Sequence, residues 1–358
     1  MAGKRIQWID FCRVYTAFCV VVRHCDRPQG SLPFLFDLFN YRSLVFFFFL
    51  VSGYFVHASR QYVQSTPPYI CYFNLRRFSQ LLIPFLFWAA VAVLVTLPLE
   101  HVAALRVGDW SWLSVGLVAQ KMGLTSWTYW DMCNVPLWFL RVLMVLALVS
   151  PLLCRLPSKV LVSLILICFA GNDVLMHIDP ESHGWKSPAM WIPFRAYESV
   201  LALGFFSAGL VIRRYADAER FTRFMSSCAW LVVAGAILLF IPVRLYGFMP
   251  PIRSSALVLV GVATTMSIGC LCERYLPRFC ALVAAWGPAA FFVYVTHNIV
   301  LCVLRWLLTG EPHEQYASTL VMVMPVLVVL ICLGLFLLLR RLSPSLMERV
   351  ALLKPEKK

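Results

Sequence analysis

One stripe of ionisable residues marks the first apolar segment of the chain. Arg13 and His24 lie eleven positions apart, and eleven steps bring a helix back to within about 20° of its starting direction. The two side chains therefore share one helix face, about 16 Å apart along the axis. Asp10 lies one turn before Arg13. A histidine accepts and releases protons near neutral pH, whereas an arginine is a permanent cation with several hydrogen-bond donors.

Three ionisable side chains on one stripe need a physical reason, because charged groups inside a bilayer are costly and face a cavity or one another. The stripe of Asp10, Arg13 and His24 predicts a polar path through a membrane. Two simpler interpretations stay open. Asp10 and Arg13 can form an internal ion pair at i, i+3, and His24 can be a polar residue that ends the span beside Cys25-Asp26.

Composition indicates a membrane protein. The chain has 358 residues, of which 61% are hydrophobic and 13% charged, with a mean hydropathy of +0.79. A soluble domain carries about 25% charged residues. The net charge is +14, but the basic residues lie beside apolar stretches. The positive-inside rule explains them, and nucleic-acid binding is not expected.

Hydropathy predicts an all-α fold, a polytopic transmembrane helical bundle of about ten spans. The predicted spans are 8–25, 33–57, 75–97, 135–153, 158–176, 195–213, 226–245, 253–272, 287–308 and 317–340. On this topology the inner segments hold about twice as many Lys and Arg residues as the outer ones, which predicts cytoplasmic N- and C-termini. Residues 1–340 form the transmembrane domain, and 341–358 form a short basic cytoplasmic tail that we expect to fray.

Two further features bear on cofactors and substrates. The connection 98–134 is the longest between predicted spans and is rich in tryptophan. We expect it to anchor the chain at the membrane surface, with a substrate lid as the alternative. Most of the 13 cysteines lie inside spans. No spacing typical of a metal site occurs, so we expect neither a bound metal nor a disulfide framework.

The pattern of Arg13, ten residues and His24 resembles the signature of the membrane-bound acyltransferase family 3. Other segments resemble motifs of this family in the same order along essentially the whole chain. They are Phe46–Phe49 with Ser52-Gly53-Tyr54, Leu75–Phe78 with Leu82-Ile83-Pro84, Leu137–Leu140, and Phe291–Tyr294 with His297. The long 98–134 connection and the lack of an appended esterase-like domain are less typical of the family.

The resemblance implies an integral O-acyltransferase of a bacterial inner membrane. Such proteins take an acyl group, usually acetyl, from cytoplasmic acyl-CoA and place it on a hydroxyl of a surface polysaccharide or a lipid-linked sugar. Acetyl-CoA would be a co-substrate, and no cofactor would be bound permanently. The expected partners are the lipid bilayer, acyl-CoA and the glycan acceptor.

With this chemistry, His24 is the candidate general base, since a hydroxyl is a poor nucleophile near neutral pH. His24 could instead form a transient acyl-histidine. Arg13 could bind a donor phosphate or the thioester carbonyl, or stabilise an oxyanion. Asp10 would then fix the direction of the arginine.

The acyl-CoA donor would bind near the cytoplasmic start of the third helix. Arg76 and Arg77 would attract the phosphates of coenzyme A there, unless they serve only as ordinary positive-inside anchors. Ser52 and Tyr54 place two hydroxyls beside Gly53, where a glycine allows close approach of either the donor or another helix.

A second group of residues is expected to line the substrate cavity. Arg141 lies inside a predicted span, three residues after Trp138, and needs a partner or a cavity. Tyr294 and His297 lie one turn apart on a later span. Glu198 could orient the acceptor, although an ion pair with Arg195 is the simpler interpretation.

Two other functional classes fit parts of the pattern. A transporter or channel could also use an Arg- and His-lined polar path, but transporters often show repeated halves, and no internal repeat is visible in this sequence. An inactive assembly factor for surface polysaccharide is the third possibility. Binding and turnover of labelled acetyl-CoA separate the three.

Overall fold

The computed structural model describes residues 6–25, 43–56, 67–110, 113–125, 132–178, 196–245, 255–310, 320 and 323–352. Within these ranges the regular secondary structure is helical, and no strand occurs. The predicted all-α fold is confirmed.

The helices overlap every predicted span. Their bounds are α1 (Gln7–His24), α2 (Ser43–Val56), α3 (Pro67–Glu100), α4 (Val102–Arg106), α5 (Val115–Lys121), α6 (Trp138–Arg155), α7 (Ser158–Ile178), α8 (Ala196–Tyr215), α9 (Ala218–Leu245), α10 (Ser255–Tyr275), α11 (Pro277–Ala285), α12 (Gly287–Thr309), α13 (Met324–Leu342) and α14 (Pro344–Val350). A short 3₁₀ turn, Val135–Leu137, leads directly into α6.

Among the described residues, six helices are long and apolar enough to cross a membrane: α3, α6, α7, α10, α12 and α13. Helices α8 and α9 are also long and apolar enough when they are taken together, but they are bent by 109° at their junction. If this pair forms one span, the described residues hold seven candidate spans. Helix α1 carries three charged residues, and α2 is short. The chain is thus a multi-pass membrane protein, while the ten spans and the sides of the termini stay predictions.

Residue contacts divide the chain into two compact units. The first unit comprises Met1–Thr16, Tyr41–Arg76 and Val145–Gly287, and the second comprises Ala17–Asn40, Arg77–Met144 and Pro288–Lys358.

In the first unit, α2 and α8 cross at two glycines. A Cβ on Gly53 would collide with the backbone carbonyl of Phe206, and a Cβ on Gly209 would collide with the carbonyl of Leu50. Small residues at such crossings let two helix backbones approach closely. Gly53 therefore serves helix packing, which was one of the two interpretations of its motif.

In the second unit, aromatic rings join α3, α12 and α13. The ring of Phe292 lies 5.2 Å from Trp88 and 5.6 Å from Phe336, centroid to centroid, and both contacts are edge-on. The indole Nε1 of Trp88 donates to the backbone carbonyl of Val350 at 2.9 Å. Part of the expected frayed tail is thus an ordered helix, α14, whose Met347 and Val350 are buried.

Helix α3 begins earlier than predicted, at Pro67. A proline is well tolerated in the first turn of a helix, whereas hydropathy detects only the apolar stretch from residue 75 onward. Arg76 and Arg77 therefore lie more than two turns after the first residue of the helix, but at the start of its apolar stretch, Leu75–Glu100, as predicted.

The long connection after α3 contains two short helices, α4 and α5. Lys121 at the end of α5 forms an ion pair with Glu100 at 3.3 Å. Val107, Trp110 and Val115 are largely exposed. The proposed role as a membrane-surface anchor stays a prediction, and Trp112, Trp127, Tyr129 and Trp130 lie outside the described residues.

Candidate active site

Helix α1 is continuous and carries both Arg13 and His24, as the sequence predicts. Asp10 lies in its first turn, and Arg23 and His24 lie in its last turn. Negative charge near the N-terminus and positive charge near the C-terminus both interact favourably with the helix dipole. The charged residues are thus compatible with an uninterrupted helix.

Arg13 and Asp10 form the predicted i, i+3 ion pair. The Nη1 of Arg13 lies 3.0 Å from Oδ1 of Asp10, and 37% of the arginine side chain is exposed against 9% of the aspartate. The guanidinium carbon of Arg13 lies 6.0 Å from the ring centroid of Phe55. Asp10 therefore fixes one edge of the guanidinium, and part of that group stays accessible.

Tyr54 contacts an arginine that the sequence analysis did not select. Its hydroxyl accepts from Nη1 of Arg213 at 3.4 Å, and the guanidinium lies 5.4 Å from the centre of the phenol ring. The neighbouring Arg214 has a different role, since it donates to the carbonyls of Cys154 and Leu156 at the end of α6. Arg213 is distinguished only by its position beside the Ser52-Gly53-Tyr54 motif in the folded chain. The spacing of these residues in the sequence does not indicate that they are close.

His24 and His297 lie next to each other in the second unit. Their ring centroids are 5.0 Å apart, and the rings are tilted by 54°. His24 is half-buried, whereas His297 is fully buried at 0% exposure. The structure thus brings together the proposed base and a histidine that the sequence placed in the substrate cavity.

Arg305 is a functional candidate that the sequence analysis missed. Its Nη2 donates to the backbone carbonyl of His24 at 3.2 Å. This carbonyl belongs to the last residue of α1, where a cation both satisfies an orphan acceptor and interacts favourably with the helix dipole. Its position inside a predicted span, where a charge requires a partner, was the signal that could have identified Arg305.

Three hydrogen bonds fasten the turn before α6 to helix α12. Asn134 donates to the carbonyl of Val295 at 2.8 Å, and Asn298 donates to the carbonyl of Cys133 at 3.2 Å. The hydroxyl of Tyr294 donates to the carbonyl of Pro136 at 3.1 Å. Tyr294, predicted as a cavity residue, thus helps to hold in place the helix segment that carries His297.

The other predicted residues have the following surroundings. Arg141 contacts the thioether sulfur of Met132 at 3.5 Å, and Trp138, at the first position of α6, is half-buried. Ser52, Arg77 and Glu198 are half-buried, and Arg76 is exposed. Arg195, the predicted partner of Glu198, lies outside the described residues.

The arrangement can support proton transfer at His24 and binding of an anion or polarised oxygen at Arg13. A search of curated proteins and a search of solved structures return no significant match. Residues 6–340 match the acyltransferase domain of acyltransferase family 3, which covers nearly all of the 358 residues. On this match, the chain belongs to acyltransferase family 3 and is a membrane acyltransferase.

Proposed function

We propose that this protein is an O-acyltransferase that uses acyl-CoA, most often acetyl-CoA, as its donor. The acceptor is a hydroxyl of a surface glycan or a lipid-linked sugar. Family membership and the apolar helices support the class of enzyme. The observation that carries the proposed chemistry is the half-buried imidazole of His24, held at the end of α1 beside the buried ring of His297.

In the proposed reaction, His24 takes the proton from the acceptor hydroxyl. The resulting oxygen nucleophile attacks the carbonyl carbon of the thioester, and the bond from that carbon to sulfur breaks. Coenzyme A leaves as its thiol after it receives the proton from His24. One group therefore acts first as a base and then as an acid, which suits a side chain that titrates near neutral pH.

Arg13 supplies positive charge on the same face of α1 as His24, about 16 Å from it along the helix axis. The ion pair with Asp10 at 3.0 Å holds one edge of the guanidinium. The exposed part can bind an oxygen that gains negative charge, either on the donor phosphates or on the thioester. Because a guanidinium does not lose its proton in proteins, Arg13 would serve as an electrostatic group and not as an acid.

The donor phosphates would bind at arginines on the cytoplasmic side. We assign this role to Arg76 and Arg77 on α3, with Ser52 and Tyr54 on α2. Arg213, which contacts Tyr54 at 3.4 Å, is a further candidate for this role. A guanidinium group suits phosphate because it presents several donors in a rigid plane.

The acceptor would bind nearer the outer face, close to His24. Trp138, Arg141, Tyr294 and Glu198 are the proposed lining residues. We place the protein in a bacterial inner membrane because of its family, and both termini in the cytoplasm because of its distribution of Lys and Arg.

Purified protein in lipid nanodiscs provides the test of this function. With a glycan acceptor added, we expect binding of labelled acetyl-CoA and release of free CoA above the level of empty nanodiscs. Arg13→Met should reduce this release by at least about tenfold. The matched control is Arg223→Met, because Arg223 also pairs with an acid, Glu219, in one helix but is 71% exposed.

Three outcomes separate the functional classes. Release of CoA that depends on Arg13 but not on Arg223 supports the enzyme. A protein that never binds acetyl-CoA would contradict the proposal and favour an assembly factor. Movement of a solute across proteoliposomes without acyl turnover would contradict it in favour of a transporter.

A further inference from the structure

The buried His297 has one ring nitrogen whose role is fixed. Its Nδ1 lies 3.2 Å from the backbone carbonyl of Val293, one turn earlier in α12. A carbonyl oxygen can only accept, so Nδ1 carries the ring proton of the neutral imidazole. Nε2 therefore has a lone pair and acts as an acceptor.

This acceptor is buried without a donor. Among the residues that the structure describes, no group donates to Nε2 of His297, although the side chain is fully buried at 0% exposure. Buried polar atoms are nearly always hydrogen-bonded, and an exception in a native structure calls for an explanation. The ring of His24, 5.0 Å away between centroids, is an adjacent group that can supply an N–H.

We propose that Nε2 of His297 accepts a hydrogen bond from a ring N–H of His24 once the His24 ring turns toward it. This inference rests on the proposed function, because it concerns the same reaction. The bond would fix the orientation and the tautomer of the His24 ring, and the second nitrogen of His24 would face the substrate hydroxyl. His297 is thus a positioning residue that acts through His24.

The supports around the two rings fit this role. The Nδ1 contact with Val293 and the hydrogen bonds from Asn134 and Asn298 hold the segment of α12 that carries His297. Arg305 holds the backbone of His24. A ring nitrogen that bonds to a fixed partner determines which nitrogen is free for chemistry, as it does for histidines in catalytic and metal sites.

Two isosteric substitutions test the proposal. His297→Gln places an amide where Nε2 lies and keeps an acceptor there, whereas His297→Asn places its amide near Nδ1 and cannot reach His24. We expect His297→Asn to lower kcat for acetyl transfer at least about tenfold with an unchanged KM for acetyl-CoA. His297→Gln should keep kcat within a fewfold of the parent protein.

His101→Gln is the control for loss of a histidine, because His101 makes a similar contact with the carbonyl of Leu97, at 3.0 Å. We expect it to leave kcat unchanged. Equal values of kcat for the Gln and Asn variants of His297 would overturn the proposal, since only one of them keeps the acceptor.

A second readout separates this proposal from the proposed function. Diethyl pyrocarbonate modifies the free nitrogen of a neutral imidazole, and mass spectrometry measures its rate at His24. A hydrogen-bond acceptor at one nitrogen of His24 raises the basicity of the other nitrogen. His297→Gln keeps this acceptor and His297→Asn does not, so we expect slower modification of His24 in His297→Asn. If no acyl-CoA is turned over, the proposed function fails, and the modification rates alone decide the role of His297. Equal modification rates of His24 in the two variants would overturn the proposed hydrogen bond.

Discussion

Arg305 on α12 donates to the backbone carbonyl of His24 at 3.2 Å and so joins the end of α1 to another helix. The last carbonyls of a helix have no partner within the helix. A charged donor at this position therefore stabilises the final turn of α1, where His24 lies. The position of the proposed base depends on a residue 281 positions later in the chain.

Arg305→Met should loosen this final turn. We expect a loss of about 1 kcal/mol, because the bond is to a charged donor but the site is only part-buried. Hydrogen exchange at the amides of residues 21–24 should become faster, while Arg305→Lys should show a smaller change because it keeps a cation near the carbonyl. Unchanged exchange in Arg305→Met would show that this bond does not stabilise the end of α1.

Gly209→Val should disrupt the crossing of α2 and α8. A side chain at this position collides with the backbone carbonyl of Leu50, and the backbone cannot move aside as a flexible side chain can. We expect a loss of about 1–3 kcal/mol, measured as a lower thermal unfolding midpoint in detergent.

Gly235→Ala on α9 is the matched control for this crossing, because a Cβ there meets no atom within 4 Å. Alanine favours a helix over glycine by about 1 kcal/mol, so this variant should be as stable as the parent protein or more so. Equal destabilisation of both variants would contradict the close-packed crossing.

Trp88→Phe should release α14 without disturbing the aromatic cluster. Phenylalanine keeps the edge-on contact with Phe292 but loses the donor to Val350. We expect a loss of about 1 kcal/mol and faster hydrogen exchange in Pro344–Val350.

Trp230→Phe is the corresponding control, since Trp230 is 60% exposed and its indole contacts the exposed Tyr275. It should leave exchange in α14 unchanged. If hydrogen exchange in α14 of Trp88→Phe equals that of the parent protein, Trp88 does not hold α14 in place.

Asp217 makes the start of α9 sensitive to acid. Its Oδ1 accepts from the backbone N–H of Arg220 at 2.8 Å, and this bond lowers the pKa of the carboxyl from its usual value of 3.8. Because the pKa of this carboxyl is lower in the folded state than in the unfolded state, its ionised form stabilises the folded state above pH 3.8. This stabilisation is lost as the pH falls through the pKa of the folded state.

The amide of Arg220 should therefore become less protected as the solution is acidified below about pH 4. Asp217→Asn still caps the helix but cannot titrate, so its protection should not change in this range beyond the ordinary pH dependence of exchange. The same loss of protection in the parent protein and in Asp217→Asn would show that another group causes it.

Periodicity and hydropathy were sufficient for the helices that overlap the ten predicted spans, the ion pair of Asp10 with Arg13 and the place of His24 on α1. These properties depend on local spacing, which one sequence contains. The start of α3 at Pro67 was missed, because hydropathy reports apolar length and not helical hydrogen bonding. The docking of α14 was missed because it depends on a contact between Trp88 and Val350, which are 262 positions apart.

The site shows the same division between local and long-range information. His297 was selected from a motif, but its position beside His24 and its orphan nitrogen follow from how α1 and α12 pack. Arg213 and Arg305 were missed, although both lie within predicted spans, Arg213 at the last residue of its span. Their partners, Tyr54 and the carbonyl of His24, are distant in sequence, so spacing gave no indication of either contact.

Single-turnover transfer of labelled acetyl from acetyl-CoA to a glycan acceptor, in sealed proteoliposomes, decides whether His24 is the base. We expect His24→Ala to abolish formation of acetylated glycan, by at least about a hundredfold, while acetyl-CoA binding and membrane insertion match the parent protein. His101→Ala should transfer normally. Transfer at the parent rate in His24→Ala would contradict the proposed mechanism.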